Sequence, residues 1–337
     1  MTGTDQYFPV QSTILSSRDL LAEVASRYPL EPPRECHLYS AHLNHVYIVK
    51  SKFSTYYLRV NRHQWQTRQD IEEEIDLLHH LHHHNIPVAM PVRTREGQYL
   101  QIINAPEGER CAVLFNNAGG TPYNILDSRQ SYLFGKLAGK MHCCMDKIDT
   151  RYKRYHLDLE YLMDEPIDRI CRVIQHRPAD IDFLKAVARE VKHRLEKIPR
   201  EKPAYGICHG DLNTKNIRFD RNMKSTLFDF DCFGYGWRAY DIGVYLYSLL
   251  QMQDFNTDKI KWMEIFNEFL IGYNEQKTLS SEEFKAIKIF GLIRFIWGYG
   301  LTILFNKYRG IRLTHDDSYI DENMRLIKNF IKEVKTL

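Results

Sequence analysis

Residues 207–231 constrain the fold more than any other part of the sequence. They read ICHGDLNTKNIRF, then a polar turn at 220–224, then STLFDFD, so that two short apolar runs flank the turn. Apolar runs on both sides of a short polar turn are typical of a β-hairpin. The hairpin would place Asp211, Asn216 and Asp229 on neighbouring loops at one end of a strand pair.

This grouping of polar side chains meets the needs of phosphoryl transfer from ATP. The reaction requires a carboxylate to accept the proton of the attacking hydroxyl, and oxygen ligands that hold Mg²⁺ on the triphosphate. We predict that Asp211 is the base and that Asn216 and Asp229 are the metal ligands. The spacing matches the kinase catalytic loop, H-R-D with an Asn five residues after the Asp, with Gly210 in place of the Arg. Unrelated loop residues would share neither this spacing nor the apolar framing.

With these motifs the chain resembles the aminoglycoside phosphotransferase and choline kinase family, whose pattern is HGDxxxxN followed by a hydrophobic-Asp-Phe-acidic motif. Other family-like segments follow the family's order from about Asn44 to Tyr247: YYLRVNR, IEEEIDLLHHL with NIPVAMPV, GKLAGKMH, LDLEYLMDEPID and GWRAYDIG. The resemblance implies an ATP- and Mg²⁺-dependent phosphotransferase. It also implies that His209 supports the catalytic loop and that a buried Asp241 braces its backbone, although a helix N-cap at Asp241 would read the same way.

The secondary-structure pattern changes near residue 116. Before it, candidate strands lie at 36–40, 45–51, 55–61, 99–103 and 110–115, with an amphipathic helix at 68–84 and another from Ser17 to Tyr28. After the connector NNAGGTPYN, helical patterns dominate, at 127–145, 157–175, 181–195, 240–251, 259–274 and twice more before the C-terminus. We therefore predict an α+β, bilobal, protein-kinase-like fold. A nucleotide-binding lobe at 1–115 would carry a five-stranded antiparallel sheet, and a mainly helical lobe at 116–337 would carry the catalytic loop and the acceptor site.

A cation over the α- and β-phosphates, paired with a helix carboxylate, is a further need of a kinase. Arg59 ends the strand YYLR, where the usual residue is Lys, and an Arg can clamp phosphate by two hydrogen bonds. At about 100° per residue, Glu74 lies near the apolar stripe through Ile71, whereas Glu72 and Glu73 point away. Glu74 is therefore the predicted partner of Arg59.

Other candidate ATP contacts are weaker. The loop YSAHLNH has no glycine, unlike the glycine-rich loop of kinases, and offers Ser40 and Asn44. Adenine is expected against backbone groups near Phe115 and Asn117. Lys215 either adds positive charge near the γ-phosphate or faces solvent.

The acceptor is expected to be a small molecule. Asp241 follows Asp229 by only 12 positions, too few for the activation segment that docks peptides in protein kinases. An aromatic cage for a quaternary ammonium would need residues such as Tyr235, Trp237, Trp297 and Tyr299. The candidate acceptor residues are Asp231, Tyr235, Trp237, Arg294 and Trp297. Antibiotic, choline-like, amino-alcohol and sugar acceptors all remain open.

Composition excludes other classes of protein. A net charge of +3, evenly spread, does not favour nucleic acid or an anionic membrane. The apolar run at 290–305 carries Arg294 and is short for a membrane span, so a core helix is expected. Seven cysteines without a CxxC pair indicate a reducing, cytoplasmic location.

The sequence also allows two alternatives to a small-molecule kinase. The missing glycine loop and Arg59 are compatible with a nucleotide-binding regulator without catalytic activity, and a protein kinase is disfavoured by the short segment. The run HHLHHHN places His79 and His83 on one helix face, but a metal site there would need a third ligand from elsewhere.

Overall fold

The computed structural model of the protein describes residue 10 and residues 12–32, 35–149, 152–251, 259–308 and 316–336. Two units emerge: Met1–His79 with Ala89–Asn117, and His80–Val88 with Ala118–Leu337. The second unit thus includes residues 80–88, which were expected from the sequence to belong to the N-terminal lobe.

The first unit is built on a five-stranded antiparallel sheet in the order β1-β2-β3-β5-β4. Its strands are β1 Glu35–Ala41, β2 Asn44–Lys50, β3 Thr55–Asn61, β4 Leu100–Ala105 and β5 Gly108–Asn116. The predicted antiparallel sheet is therefore confirmed. The helix expected from Ser17 to Tyr28 is instead three short pieces: α1 Ser17–Asp19, a π-helical turn Leu20–Val24 and a 3₁₀ turn Ala25–Arg27.

Alternating residues of the sheet face two hydrophobic clusters. Leu58, Ala112 and Leu114 belong to the cluster that contains Leu20 and Val24 of the N-terminal helical turns. Val113, which lies between Ala112 and Leu114 in β5, clusters with Ile71 and Ile75 of helix α2, Arg68–His83. Because side chains alternate along a strand, Arg59, which pairs with Val113, lies on the α2 face.

The second unit combines two small sheets with most of the helices. The sheets have the orders β10-β9-β6 and β7-β11-β8. Their strands are β6 Thr121–Pro122, β7 His156–Leu157, β8 Tyr205–Cys208, β9 Ile217–Phe219, β10 Ser225–Leu227 and β11 Gly234–Trp237. The helices are α3 Ser128–Met145, α4 Glu165–Val173, α5 Pro178–Leu195, α6 Arg238–Gln251, α7 Lys259–Asn274, α8 Ser281–Tyr308 and α9 Asp317–Thr336. The helix predicted at 157–175 is in fact β7, a π-helical turn Glu160–Asp164 and α4.

Helix α8 is longer than the apolar run in the sequence suggested. It has 28 residues, and its Ser281–Asn306 portion is long and apolar enough to cross a membrane. However, 67% of its most apolar window is buried inside the protein. This degree of burial is typical of a core helix. Helix α8 therefore places Arg294 in the interior of the second unit.

Candidate active site

The hairpin β9–β10 and the loop before it form the candidate active site in the second unit. Ile217 pairs with Leu227, and the Phe228 amide donates to the Asn216 carbonyl at 3.1 Å. The residues just before β9 and just after β10 therefore lie at the same end of the strand pair. This is the end at which the sequence predicted Asn216 and Asp229.

Asp211 is held by two side chains, one on each carboxylate oxygen. Asn216 Nδ2 donates to Asp211 Oδ2 and to the Asp211 carbonyl, both at 2.9 Å. Arg294 Nη2 donates to Asp211 Oδ1 at 2.5 Å. Since the amide nitrogen of Asn216 is engaged by Asp211, its Oδ1 is the atom suited to a metal ion.

Arg294 is the site residue whose position the sequence did not reveal. It was expected as an acceptor contact, whereas here it forms an ion pair with the predicted base. Its guanidinium also stacks over the Trp297 ring, 4.4 Å from the centroid. Burial lowers the pKa of Arg294, but the Asp211 carboxylate together with Tyr240 and Cys232 outweighs this effect and the net shift is upward, so the guanidinium stays charged.

Asp229 follows β10 in a backbone conformation that few residues adopt. Its φ is 64°, in the left-handed region that costs a residue with a side chain about 1–2 kcal/mol. Burial raises the pKa of the neighbouring Cys232 thiol, and the carboxylates of Asp231, Asp211 and Asp229 raise it further. All three carboxylates therefore lie within electrostatic reach of one buried sulfur.

Asp241, at the start of α6, anchors the backbone of the catalytic loop. Its Oδ2 accepts the His209 amide at 2.7 Å, and its Oδ1 accepts the Gly210 amide at 2.9 Å. His142 Nε2 lies 2.9 Å from Asp241 Oδ2, and His142 Nδ1 lies 2.8 Å from the Tyr273 hydroxyl. Burial lowers the pKa of His142 to about 4, so the ring is neutral and donates from Nε2.

The Asp241 carboxylate stays ionised although the residue is completely buried. Burial raises the pKa of this carboxyl, but hydrogen bonds and charge interactions with His142 and His209 together outweigh burial, and the net shift is downward. An ionised carboxylate accepts backbone N–H groups more strongly than a neutral acceptor does. Asp241 is thus a loop brace rather than an N-cap of its own helix.

His209 and Gly210 give the loop its shape. The His209 ring is fully buried, packs at a tilt against Phe230 with centroids 4.2 Å apart, and has Nε2 3.2 Å from the Phe228 carbonyl. Gly210 has φ 80°, and a Cβ there would overlap the carbonyl oxygen of Cys232. Only glycine fits at this position, which explains why the Arg of the kinase H-R-D motif is absent.

In the first unit, Arg59 and Glu74 form a buried bidentate ion pair. Arg59 Nη1 donates to Glu74 Oε1 at 2.8 Å and Nη2 donates to Oε2 at 2.5 Å. The Arg59 guanidinium also lies over the Phe115 ring, 4.9 Å from its centroid. Glu72 pairs instead with exposed Arg68.

The remaining candidate ATP contacts are scattered along the chain. Ser40 lies next to a β-bulge in β1. Asn44 is buried at the start of β2, and Asn117 is an exposed residue just after β5. Lys215 is exposed in the catalytic loop.

The candidate acceptor residues are only partly brought together. The Trp297 ring contacts the Arg294 guanidinium. Asp231 is buried, and its backbone carbonyl accepts a hydrogen bond from Arg154 Nη2 at 2.5 Å. Tyr235 and Trp237 lie in the β7–β11–β8 sheet, where their rings contact other neighbours, respectively His156 and Tyr205. Among the described residues, the ring neighbours of Tyr235 and Trp237 are thus other than Trp297 and Tyr299.

A cleft of about 630 Å³ lies elsewhere in the second unit. Its wall includes Asp158, Glu160, Asp164, Arg200 and Trp237, and its described lining contains no residue of the catalytic loop. The hydrogen bonds around Asp211 locate the chemistry better than the size of this cleft does.

Arg154 is a structural element of the site that was not predicted from the sequence. Its Nε donates to the Phe233 carbonyl at 2.8 Å and its Nη2 donates to the Asp231 carbonyl, so it fixes the segment after Asp229. No motif in the sequence marks it, since a lone arginine after a polar connector is ordinary.

The chain is similar to known proteins in sequence and in fold. Residues 38–276 match the model of the phosphotransferase enzyme family. An uncharacterized protein of Synechocystis sp. is 32% identical over 88% of this chain and 80% of its own, and amicoumacin kinase of Bacillus subtilis is 26% identical over 86% and 85%.

Solved structures resemble the whole described fold. An amicoumacin kinase in complex with AMP-PNP and Ca²⁺ has a TM-score of 0.75 at 21% identity, with coverage of 95% of this chain and 94% of that one. A microcompartment-associated aminopropanol kinase has a TM-score of 0.77 at 18% identity, with coverage of 94% and 98%. At these identities the likeness establishes the fold, which is the predicted kinase-like one.

Proposed function

Because this chain belongs to the phosphotransferase enzyme family, we propose that it is an ATP- and Mg²⁺-dependent kinase that phosphorylates a hydroxyl group of a small molecule. The observation that carries the proposal is the Asp211 carboxylate, held by Asn216 on one oxygen and Arg294 on the other. It lies on a loop whose backbone is bound by a second, fully buried carboxylate, Asp241.

Asp211 acts as the general base of the transfer. The acceptor oxygen bonds to the γ-phosphorus, the bond from that phosphorus to the ADP oxygen breaks, and the hydroxyl proton passes to the Asp211 carboxylate. Asn216 and Arg294 hold the carboxylate in one orientation, and such positioning supplies a large part of the catalysis in phosphoryl transfer. Arg294 also keeps a positive charge beside the carboxylate until the proton arrives.

The donor set of the loop suits magnesium. The Asn216 amide oxygen and the Asp229 carboxylate are hard oxygen donors of the type that Mg²⁺ prefers, and they would hold the ion. When bound, the ion neutralises negative charge on the phosphates. The left-handed backbone at Asp229 is the kind of local strain that proteins retain at functional sites.

The first unit would supply the contacts to the nucleotide. Arg59, oriented by Glu74, would bind the α- and β-phosphates. The other assigned contacts are Ser40, Asn44, Phe115, Asn117 and, from the catalytic loop, Lys215. In this proposal residues 1–115 form the nucleotide lobe and residues 116–337 carry the base, the metal ligands and the acceptor site.

The acceptor class stays broad. The relatives named above act, by their names, on amicoumacin and on aminopropanol, which supports a hydroxylated small molecule. Acceptor candidates are an antibiotic, an amino alcohol, a choline-like alcohol and a sugar. Arg294 and Trp297 are the acceptor-site candidates that adjoin the base.

An acceptor panel tests the proposal. The full chain is incubated with ATP, Mg²⁺ and amicoumacin, 1-aminopropan-2-ol, choline, an aminoglycoside or a hexose, and ADP release and phosphorylated product are measured. We expect acceptor-dependent ADP release, lost with EDTA and lost in Asp211→Asn. Asp182→Asn makes the same chemical change on the exposed face of α5 and should keep full activity.

Three outcomes would overturn parts of the proposal. Turnover by Asp211→Asn at the parent rate would exclude Asp211 as the base. ATP binding without turnover across the panel would favour a nucleotide-binding regulator. The glycine-free β1–β2 turn is also compatible with that alternative. Phosphate found on protein but on no small molecule would indicate a protein kinase.

A further inference from the structure

The histidine run at the end of α2 meets a cysteine from another helix. His80 and His84 lie near Cys144, which belongs to the last turn of α3. The potential ligand atoms of these three residues all lie within 4.8 Å of one another. All three belong to the second unit, and none takes part in the catalytic loop. The third ligand that the sequence could not supply is therefore present, although the histidines are not the pair His79 and His83.

Helix geometry explains why His80 and His84 face the same way. They are four residues apart, and the His84 amide still donates to the His80 carbonyl at 3.2 Å, just beyond the last residue of α2. Their rings stack with centroids 4.2 Å apart. Two histidines at this spacing on one helix face are a recurring zinc-binding arrangement.

The His84 ring is already in the tautomer that a metal ligand needs. Its Nδ1 lies 2.8 Å from the His80 carbonyl oxygen, which can only accept, so Nδ1 carries the proton. Nε2 therefore has its lone pair available. Histidines that bind metals usually donate their other ring N–H to a carbonyl or carboxylate in this way.

Cys144 supplies a ligand of different chemistry. Its side chain is buried at 6% exposure, while His80 is half-buried and His84 is exposed, so the cluster opens to solvent on one side. Burial raises the pKa of the Cys144 thiol, and Lys147 and Lys140 partly offset this shift. The thiol therefore becomes a ligand only when a metal displaces its proton.

We propose that His80, His84 and Cys144 form a zinc-binding site, with a water molecule as the fourth ligand. Two imidazoles and one thiolate suit Zn²⁺ better than Mg²⁺ or Ca²⁺, which prefer oxygen. Tetrahedral Zn²⁺ with bonds of about 2.1–2.3 Å needs ligand atoms roughly 3.5 Å apart. The potential ligand atoms now lie within 4.8 Å of one another, so zinc binding would draw the three side chains closer together. Zinc would then tie residues 80–84 to α3 within the second unit.

Metal binding by matched variants tests the site. Tag-free, metal-stripped full-length protein is dialysed against Zn²⁺, and bound zinc is measured by atomic emission. We expect about one Zn²⁺ per chain for the parent protein and none for His84→Ala or Cys144→Ala at the concentration that saturates the parent. The controls are His83→Ala, an exposed neighbour in the same run, and Cys143→Ala, the adjacent cysteine, and both should retain zinc.

Cobalt substitution gives an independent readout of the ligands. Co²⁺ in the site should produce the d–d bands of a tetrahedral ion and a thiolate-to-cobalt charge-transfer band. Cys144→Ala should remove the charge-transfer band, whereas Cys143→Ala should leave it unchanged. Because Cys144 is buried, His84→Ala, an exposed substitution, keeps the test valid if Cys144→Ala fails to fold.

Several results would refute the site. Absence of zinc from the parent protein would do so, as would equal loss of zinc in His83→Ala and His84→Ala, which would assign binding to the histidine run alone. An octahedral cobalt spectrum without a thiolate band would exclude Cys144. None of these outcomes depends on kinase activity, so the site and the proposed function stand or fall separately.

Discussion

Replacement of Asp241 by Asn changes one atom and tests how the catalytic loop is held. Oδ2 of Asp241 accepts the His209 amide and Oδ1 accepts the Gly210 amide. Whichever way the new side-chain amide is oriented, its NH₂ group faces one of these backbone N–H groups. The His142–Tyr273 pair can change its tautomer and hydroxyl orientation to accommodate Asn, but a backbone amide cannot become an acceptor.

The cost follows from the number and kind of hydrogen bonds lost. A hydrogen bond to a charged group contributes about 1.5–3 kcal/mol, and a buried unsatisfied donor costs about 1–3 kcal/mol. We therefore expect Asp241→Asn to reduce the free energy of unfolding by about 2–5 kcal/mol, with the chain still folded. Asp211 is the next residue after Gly210, and a shift of about 1 Å at a reacting group costs on the order of 100-fold in kcat.

The measurement pairs steady-state ADP release with urea unfolding. His142→Gln is the comparison variant, because it leaves the Asp241 carboxylate and its two backbone hydrogen bonds in place. We expect kcat to fall about 100-fold in Asp241→Asn and less than about tenfold in His142→Gln. Equal kcat values for Asp241→Asn and the parent protein, with unfolding free energies within about 0.5 kcal/mol, would refute the idea that this carboxylate holds the loop.

Three further predictions follow from other contacts. Burial lowers the pKa of His142 to about 4 from 6.5, so the folded state takes up this proton later than the unfolded state does. The contribution of neutral His142 to folding stability is therefore present above pH 6.5 and is lost as the pH falls towards 4. The free energy of unfolding should drop by about 2 kcal/mol between pH 7 and pH 5. His142→Gln should lack this drop. Gly210→Ala should reduce kcat by about 100-fold or more, because its Cβ meets a carbonyl and its φ is left-handed, as steady-state kinetics would report. Arg59→Lys should raise the KM for ATP about tenfold or more, because a lysine cannot make both hydrogen bonds to Glu74.

Two substitutions serve as matched controls for these predictions. Gly97 has φ 85°, and a Cβ added there would meet nothing within 4 Å, so Gly97→Ala adds the backbone strain of Gly210→Ala without its overlap and should keep kcat. Arg68→Lys alters an exposed arginine paired with Glu72 and should leave the KM for ATP unchanged. Equal effects of control and test variant would contradict the corresponding prediction.

Local patterns in the sequence were enough to group several residues. Asn216 lies five residues after Asp211, so the motif places both in a single loop, where the structure adds a hydrogen bond between them. The choice of Glu74 rested on helix periodicity, and Arg59 does pair with Glu74 in the sheet-and-helix unit. The five strands followed from alternation and turns for the same reason, since neighbouring strands there are mostly joined by short connections.

Contacts between residues far apart in the sequence could not be predicted from local patterns. Arg294 and Asp211 are 83 residues apart, and His142 and Asp241 are 99 apart. The sequence contained Arg294 as a polar residue in an apolar helix but gave no sign of its partner. The neighbours of the candidate acceptor rings could not be predicted for the same reason; Trp237, for example, contacts Tyr205.

The sequence by itself determined the type of chemistry, because a hairpin with its carboxylates and amide at one end is specified by residue spacing and turn residues. Only the tertiary structure decided which remote side chains meet: Arg294 with Asp211, Asp241 and His142 behind the catalytic loop, and, away from that loop, Cys144 with His80 and His84. The physical reason is that hydrogen-bond geometry within a loop depends on a few backbone angles. Pairing across helices depends on how the whole core packs.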